Sequence, residues 1–456
     1  MINGAFRKYL EEAIGSMNAL VAFSAFESPA SASVRANPFK KGIVPDGRPV
    51  VWSSHGRILP ERPLFTLDPH FHAGAYYVQD SSSMFVGHAF RRLLQGVSRP
   101  VGRPVRVLDL CAAPGGKTTD LAASLRETFG DDFILVSNEV MKARAGVLAD
   151  NVALWGDPNV VVTSDDPRAF AALPGFFDVI VADVPCSGEG MFRKDEEAQK
   201  QWSEDNVALC EARQRRIVAD VWTSLKEDGI FIYSTCTFNK YENDGNVQWI
   251  ADELGADCLF AEDILKIEEG VIRTPLGYSL VPGHVEGEGQ YCSALRKTSQ
   301  VGFVDSLHRT PRTSKAQAVS SEVAAGLLKV KSVCRLRGET VIAVPENLVS
   351  ELSILESALH IIAAGCAVGS LKGKVLVPDA DLALSIAFDT SAFPEAHVDR
   401  DTALAYLHRD AIILPDAPKG YVTIVYEGLP LGFVKNLGNR CNSLHPQSRR
   451  IRMNIK

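Results

Sequence analysis

VLDLCAAPGGKTTDLA, Val107–Ala122, carries an apolar run into an aspartate, through a Pro-Gly-Gly turn and on into a helical pattern. A strand that ends at Asp109 and re-enters as a helix brings backbone N–H groups and a helix N-terminus up to a ligand, as nucleotide sites do. The spacing is neither GxxxxGK[ST] nor GxGxxG, so no phosphate-cradling loop or dinucleotide fingerprint is present. Cys111, Ala112, Ala113, Pro114, Gly115, Gly116 and Lys117 are therefore candidate cofactor-loop residues. Alone, such a Gly-Gly turn is as readily a plain tight turn.

The segments downstream of the turn decide between the two. Phe133–Ser137 is a second apolar run, Arg144–Leu154 a second helix and Val160–Thr163 a third strand. FDVIVADVP (Phe177–Pro185) is a fourth strand, Asp205–Leu225 a helix, and GIFIYSTC (Gly229–Cys236) a further strand. Strands alternating with helices predict a doubly wound, mostly parallel α/β sheet with helices on both faces. Such a sheet binds its ligand at the carboxyl ends of its strands. Glu139 falls at the second strand end, where a carboxylate can accept both hydroxyls of a ribose. Asp166 lies beyond the third, placed to meet an adenine amine.

The flanks divide the rest. Residues 1–95 form an N-terminal extension, with an amphipathic helix over Phe6–Ile14, a short strand at Ser33–Arg35 and a helix over Phe85–Leu94. The α/β domain spans 96–298, a Ser/Thr-rich linker 299–320, an intermediate domain 321–400 and a short-stranded module 401–456. At 456 residues the chain exceeds one compact core. Its 46% apolar and 23% charged composition is that of a globular protein. No apolar run is long enough to cross a bilayer and the N-terminus does not read as a signal peptide, so a cytoplasmic protein is expected. Nine cysteines, odd in number and scattered singly, predict neither a disulfide framework nor a zinc site. His70 and His72 lack a nearby third ligand, so no metal is expected. The net charge of −7 hides a basic tail: from Lys435 to Lys456 there is no acidic residue, against Lys435, Arg440, Arg449, Arg450, Arg452 and Lys456.

Two cysteines stand apart from the rest. In ADVPCSGEGMFRK (Ala182–Lys194), Asp183 and Cys186 end the fourth strand, ahead of Arg193 and Lys194; in STCT, Cys236 ends the strand next in line. Both thiols should face one cleft. A lone strand-end thiol is commonly a small buried hydrophobe, but two at neighbouring strand ends over a cofactor are hard to explain as packing.

PCSGEG with Cys186, STCT with Cys236 and CAAPGGKT with Lys117 resemble the NOP/Sun family of RNA cytosine carbon-5 methyltransferases. The likeness runs from about Ser33 to Lys297, closing on GHVEGEGQYCSALRK. GCAVGSLKGKVLVPDADLALSIA and PLGFVKNLGNRCNSLHPQSRRIRM are similar to the bacterial branch that methylates small-subunit ribosomal RNA, the latter as a PUA-like RNA-binding module. Where such modules usually run Lys-Asn-Tyr-Pro, this chain has Asn442-Ser-Leu-His-Pro.

The resemblance implies a Rossmann-like class I methyltransferase core with an N-terminal α/β RNA-binding extension (1–95) and C-terminal α+β and PUA-like RNA-binding modules. S-adenosyl-L-methionine would be its cofactor, and 16S ribosomal RNA or the small subunit its partner, without DNA or membrane and as a monomer. It implies Cys236 as nucleophile, Cys186 as second thiol, and Asp183 as the group that bonds the base beside the cofactor. Lys117, Arg193, Lys194, Lys435, Arg449 and Arg450 are candidate RNA contacts, and Lys117 or Arg193 a candidate activator of the nucleophile. A tRNA substrate, an inactive ribosome-assembly protein and a small-molecule methyltransferase stay open as alternatives.

Overall fold

Two short helices, α1 (Gly4–Ile14) and α2 (Ser16–Phe26), lead into a small antiparallel sheet in a computed structural model that describes residues 4–259, 270–300, 317–318, 321–373 and 375–455. Most of the linker expected over 299–320, and Lys456, lie outside the described residues. The small sheet has strands β1 (Ala32–Ala36), β2 (Arg48–Val50), β3 (Ser53–Leu59) and, after helix α3 (Pro69–His72), β4 (Tyr76–Val78), in the order β2-β3-β1-β4. Helix α4 (Met84–Leu94) leads out of it. The sequence pattern missed α2 because SMNALVAFSAF is apolar almost all round and shows no stripe. In the structure Ala19, Ala22, Phe23 and Phe26 are buried while Met17 and Leu20 are exposed.

The central domain runs β5 (Val105–Asp109), α5 (Gly116–Phe129), β6 (Phe133–Asn138), α6 (Lys142–Trp155), β7 (Val160–Thr163) and β8 (Phe177–Asp183). It continues with α7 (Glu196–Gln201), α8 (Glu204–Trp222), β9 (Leu225–Thr235), α9 (Asp244–Leu254) and β10 (Ala256–Cys258). Strands β11 (Ile272–Arg273), β12 (Tyr278–Leu280) and β13 (Gln290–Lys297) close it. Strands β9, β8, β5, β6 and β7 lie side by side and parallel. The chain reverses direction of travel across the sheet between β5 and β8, the position at which open α/β sheets leave a crevice. Both faces are covered, which is why these strands read as unbroken apolar runs. Val107, Leu135, Val181 and Ile232 enter one core; Leu108, Val136, Ile180 and Phe231 enter the other.

The last part holds β14 (Gln317–Ala318), β15 (Ser332–Arg337), β16 (Thr340–Pro345), α10 (Val349–Ala358), β17 (Ile361–Ala364), β18 (Cys366–Lys372), β19 (Val375–Pro378) and α11 (Ala380–Leu384). It ends in β20 (Glu395–His397), α12 (Arg400–His408), β21 (Gly420–Tyr426), β22 (Leu429–Asn436) and β23 (Cys441–Ser443). One strand of the segment expected as an intermediate domain leaves its neighbours. β17 pairs antiparallel with β7 and forms an edge of the central sheet, whose order is β11-β12-β13-β9-β8-β5-β6-β7-β17. Strands β20 to β23 form their own sheet, and its apolar face is buried against the N-terminal one: Val34, Phe65 and Tyr76 share a core with Leu404, Ile424 and Leu431.

Candidate active site

The two thiols meet. Cys236 follows β9 and Cys186 follows β8 by three residues, and with the two strands paired in register (Asp183 opposite Ser234) their Sγ atoms stand 3.2 Å apart. The hydrogen bond that Cys186 shares with Cys236, and then burial, push the Cys186 thiol well above its ordinary range, so it holds its proton. No structural zinc or disulfide accounts for the pair, as all nine cysteines are free and no metal-binding cluster occurs among the described residues.

Asp183 ends β8, three residues before Cys186. Its Oδ2 lies 2.7 Å from Lys117 Nζ, while Oδ1 accepts from Ser234 Oγ at 2.8 Å and Gln290 Nε2 at 3.0 Å. Burial opposes the Lys117 charge, but the Asp183 carboxylate outweighs it, with help from Cys236, and holds the ammonium above the ordinary lysine value. The first turn of α5 thus delivers a fixed cation into the thiol site.

The loop from β5 to α5 is tied down at several points. Gly115 adopts φ of +115°, a conformation that favours glycine, and Ala112 N–H donates to Asn138 O. Pro114 O accepts from Tyr77 Oη and Asn151 Nδ2, and Gly116 O from Arg35. Cys111 is a partly exposed residue whose thiol burial pushes up. Asp109 is fully buried; Thr118 Oγ1 donates to its Oδ2, while Oδ1 is buried with no hydrogen-bond partner. Burial raises its carboxyl to about 7. An orphaned buried acceptor beside a Gly-Gly turn fits a ligand that carries positive charge and N–H donors, as S-adenosyl-L-methionine does. Glu139, at the end of β6, accepts from Met141 N–H and faces Arg144 at 3.1 Å. Asp166 caps the turn after β7 by accepting from Arg168 N–H, and its side chain is 40% exposed beside the Arg168 guanidinium.

Two of the expected RNA contacts are engaged by carboxylates of the protein itself. The Arg193 side chain is buried, its guanidinium clamped on both oxygens of Glu288 at 2.8 Å and on Gly287 O. Arg449 is engaged by Asp150 of α6 and Asp381 of α11. Both partners lie far away in sequence, so the basic motif gives no sign of them. Lys194 is partly exposed, 3.7 Å from Asp80. Lys435 is exposed beside Tyr421, and Arg450 half-buried.

The sequence reading also overlooked Glu189, Glu242, Asn239 and Gln290. All four are buried around the thiol loops. Glu189 stands inside PCSGEG, and Asn239 and Glu242 follow directly on STCT, so the signal was a carboxylate placed a few residues after each cysteine.

Residues 102–296 match the family described as 16S rRNA methyltransferase RsmB/F, residues 2–81 the N-terminal domain of 16S rRNA methyltransferase RsmF, and residues 393–451 the methyltransferase RsmF PUA domain. The ribosomal RNA small subunit methyltransferase F of Serratia proteamaculans (strain 568) is 30% identical, the alignment covering 93% of this chain and 91% of that protein. The protein of the same name from Enterobacter sp. (strain 638) is 28% identical over 96% of this chain and 95% of its own. Among solved structures, a methyltransferase homolog from Pyrococcus horikoshii superposes with a TM-score of 0.52 at 24% identity, over 65% of this chain and 100% of that one. NSun6 from the same organism, crystallised with SFG, gives 0.51 at 17% identity over 65% and 99%. These likenesses carry the fold of the core; the long alignments carry the rest, and the chain belongs to the ribosomal RNA small subunit methyltransferase F family, within the RsmB/F group.

Proposed function

We propose that the protein methylates carbon 5 of a cytosine in 16S ribosomal RNA through a covalent adduct between Cys236 and the base. The observation that carries this reading is the contact of two thiols, Sγ to Sγ 3.2 Å, above a lysine–aspartate pair. A methyltransferase acting on oxygen or on an exocyclic amine needs no thiol; activating a ring carbon does.

Carbon 5 of cytosine is a poor nucleophile until a thiolate adds to carbon 6 and turns the ring into an enamine, one difficult step becoming two easier ones. S-adenosyl-L-methionine, when bound, supplies an electrophilic methyl group. The residues of this chain do the remainder. Asp109 and Glu139 hold the cofactor from the ends of β5 and β6, with Cys111 to Lys117 around it and Asp166 at the adenine side. Lys117 favours the thiolate of Cys236 by its fixed positive charge. Asp183 accepts from the exocyclic amine and orients the base, which must first leave its stack. Cys186 keeps its proton chiefly because Cys236 bonds to it. Once Cys236 is joined to carbon 6 that bond is lost, and the Cys186 proton becomes easier to remove. Having given its proton to solvent, the Cys186 thiolate would take the carbon-5 proton; the carbon–hydrogen electron pair re-forms the 5,6 double bond, the Cys236–carbon bond breaks and Cys236 leaves as thiolate. Lys194, Lys435 and Arg450 remain as candidate phosphate contacts, and the protein acts as a monomer.

The Cys186→Ala protein, incubated with S-adenosyl-L-methionine and 16S rRNA, is expected to give a covalent protein–RNA band on a denaturing gel. Changing Cys236 to alanine as well should abolish it. Absence of the band with both naked RNA and small subunits would remove the two-thiol cycle.

A further inference from the structure

The loops that carry the two thiols are joined to each other by an exchange of carboxylates. Glu189, three residues after Cys186, reaches into the Cys236 loop. Its Oε2 accepts from Phe238 N–H at 2.6 Å and Asn239 N–H at 3.1 Å, and its Oε1 from Trp202 Nε1 and Asn239 Nδ2, each at 2.9 Å. Glu242, six residues after Cys236, reaches back: its Oε2 accepts from Ser187 N–H at 3.0 Å and Gln214 Nε2 at 2.7 Å. Asn239 Nδ2 also donates to Glu242 Oε1 at 2.8 Å, so one amide bridges both acids. Between them Ser187 Oγ and Thr237 Oγ1, the residues next to each cysteine, share a hydrogen bond of 2.9 Å. Gly190 N–H donates to Cys236 O at 2.8 Å, and a Cβ there would stand 2.7 Å from that oxygen, so only glycine permits the approach.

Both carboxylates are buried, at 1% and 0% exposure, and no ion pair among the described residues reaches either. Burying two acids side by side on neutral donors alone is costly. Burial and the Glu189 charge push Glu242 up to about 7, a sign of that cost. Ordinary packing of two loops would not call for it; fixing their register does.

We propose that Glu189 and Glu242 are positioning residues, a reciprocal carboxylate clasp that holds the Cys186 thiol against Cys236, and that release of the methylated base depends on it far more than the first attack does. This rests on the two-thiol cycle above. Attack needs only Cys236 over the base. Release needs the second thiol in place at carbon 5, next to the carbon that Cys236 holds, and a displacement of an ångström is enough to slow such a step about a hundredfold.

Two readouts test it on the full-length protein, using Glu242→Ala and the isosteric Glu242→Gln. The first needs no RNA. Diamide, an azo oxidant, takes two electrons and both thiol protons from Cys186 and Cys236, forming a disulfide and leaving the hydrazine; the linked peptide is followed by mass spectrometry. Its formation should slow about tenfold or more in Glu242→Ala and less in Glu242→Gln. The second uses 16S rRNA and S-adenosyl-L-methionine: in Glu242→Ala, steady-state turnover should fall about tenfold or more while single-turnover methyl transfer holds within about threefold, so the covalent protein–RNA band accumulates. Wild-type rates of disulfide formation and turnover in Glu242→Ala overturn the clasp. So does a parallel loss of single-turnover transfer and turnover, which marks a merely structural role. If Cys186→Ala itself yields no adduct, the functional reading fails instead, and the diamide arm still judges the clasp.

Discussion

Asp109 and Glu242 are buried acids on opposite sides of the site, one facing the cofactor loop, the other locking the thiol loops. Burial pushes both up to about 7, from ordinary values of 3.8 and 4.5. The folded protein therefore keeps two protons that the unfolded chain releases near pH 4. Their contribution to stability is fully present below those ordinary values and is lost as pH rises through 7. His88 and His445, which burial lowers to about 4, act in the opposite sense over the same range, so the test is the change in slope: without cofactor, Asp109→Asn and Glu242→Gln should each make the slope of Tm against pH between about 4.5 and 7 more positive. An unchanged slope in both variants would mean that neither acid holds its proton. At this scale the sequence was informative where chemistry demands a residue type: Cys186 meets Cys236 at 3.2 Å and Lys117 meets Asp183 at 2.7 Å, two pairs brought together from separate motifs. It was silent on the partner of Arg193, because nothing near that residue in sequence announces Glu288, which is buried against it.

Element by element, the cofactor loop is held from outside its own domain. Arg35 of β1 is fully buried; its Nη2 donates to Thr119 Oγ1 at 2.5 Å and Gly116 O at 3.1 Å, and its Nε to Gln79 at 2.8 Å. Tyr77 of β4 donates from Oη to Pro114 O at 3.2 Å. The N-terminal sheet thus grips the first turn of α5 and the Pro-Gly-Gly turn before it. Tyr77→Phe should weaken S-adenosyl-L-methionine binding about fivefold, the worth of one neutral hydrogen bond. Arg35→Met, which strips a charged donor from the loop, should weaken it about tenfold or more. Isothermal calorimetry with unchanged Kd in both variants would show the grip to be irrelevant to the cofactor. The alternation of β5 through β9 with its helices was legible because buried parallel strands are continuous apolar runs. The edge strand β17 was not: Ile361–Ala364 becomes a strand of this sheet only by docking on β7, a decision made between distant segments.

For the whole molecule the question is which basic residues face RNA and which hold the parts together. The N-terminal sheet and the final module share one apolar core. His70 lies between Asp68, at 3.2 Å, and Glu427 of the turn after β21, also at 3.2 Å, across that same junction. Arg449 fastens a third contact, joining Asp150 on the methyltransferase domain to Asp381 on α11 with only 13% of its side chain exposed. Lys435 differs in kind: it stands on β22, exposed, over the Tyr421 ring and opposite Asn442 of β23. The two residues look alike in a basic tail and should fail differently. Arg449→Ala leaves two carboxylates facing each other without their cation. It should cost about 2 kcal/mol, less than a fully buried pair because Asp150 is half exposed. Its Tm should drop while the dependence of RNA affinity on salt keeps its slope. Lys435→Ala should leave Tm unchanged and, by giving up one phosphate contact, reduce the slope of log affinity against log salt by about 0.7 to 0.9. The reverse pattern, with Arg449 moving the salt slope and Lys435 moving Tm, would return Arg449 to the RNA surface and make the junction looser than its contacts require.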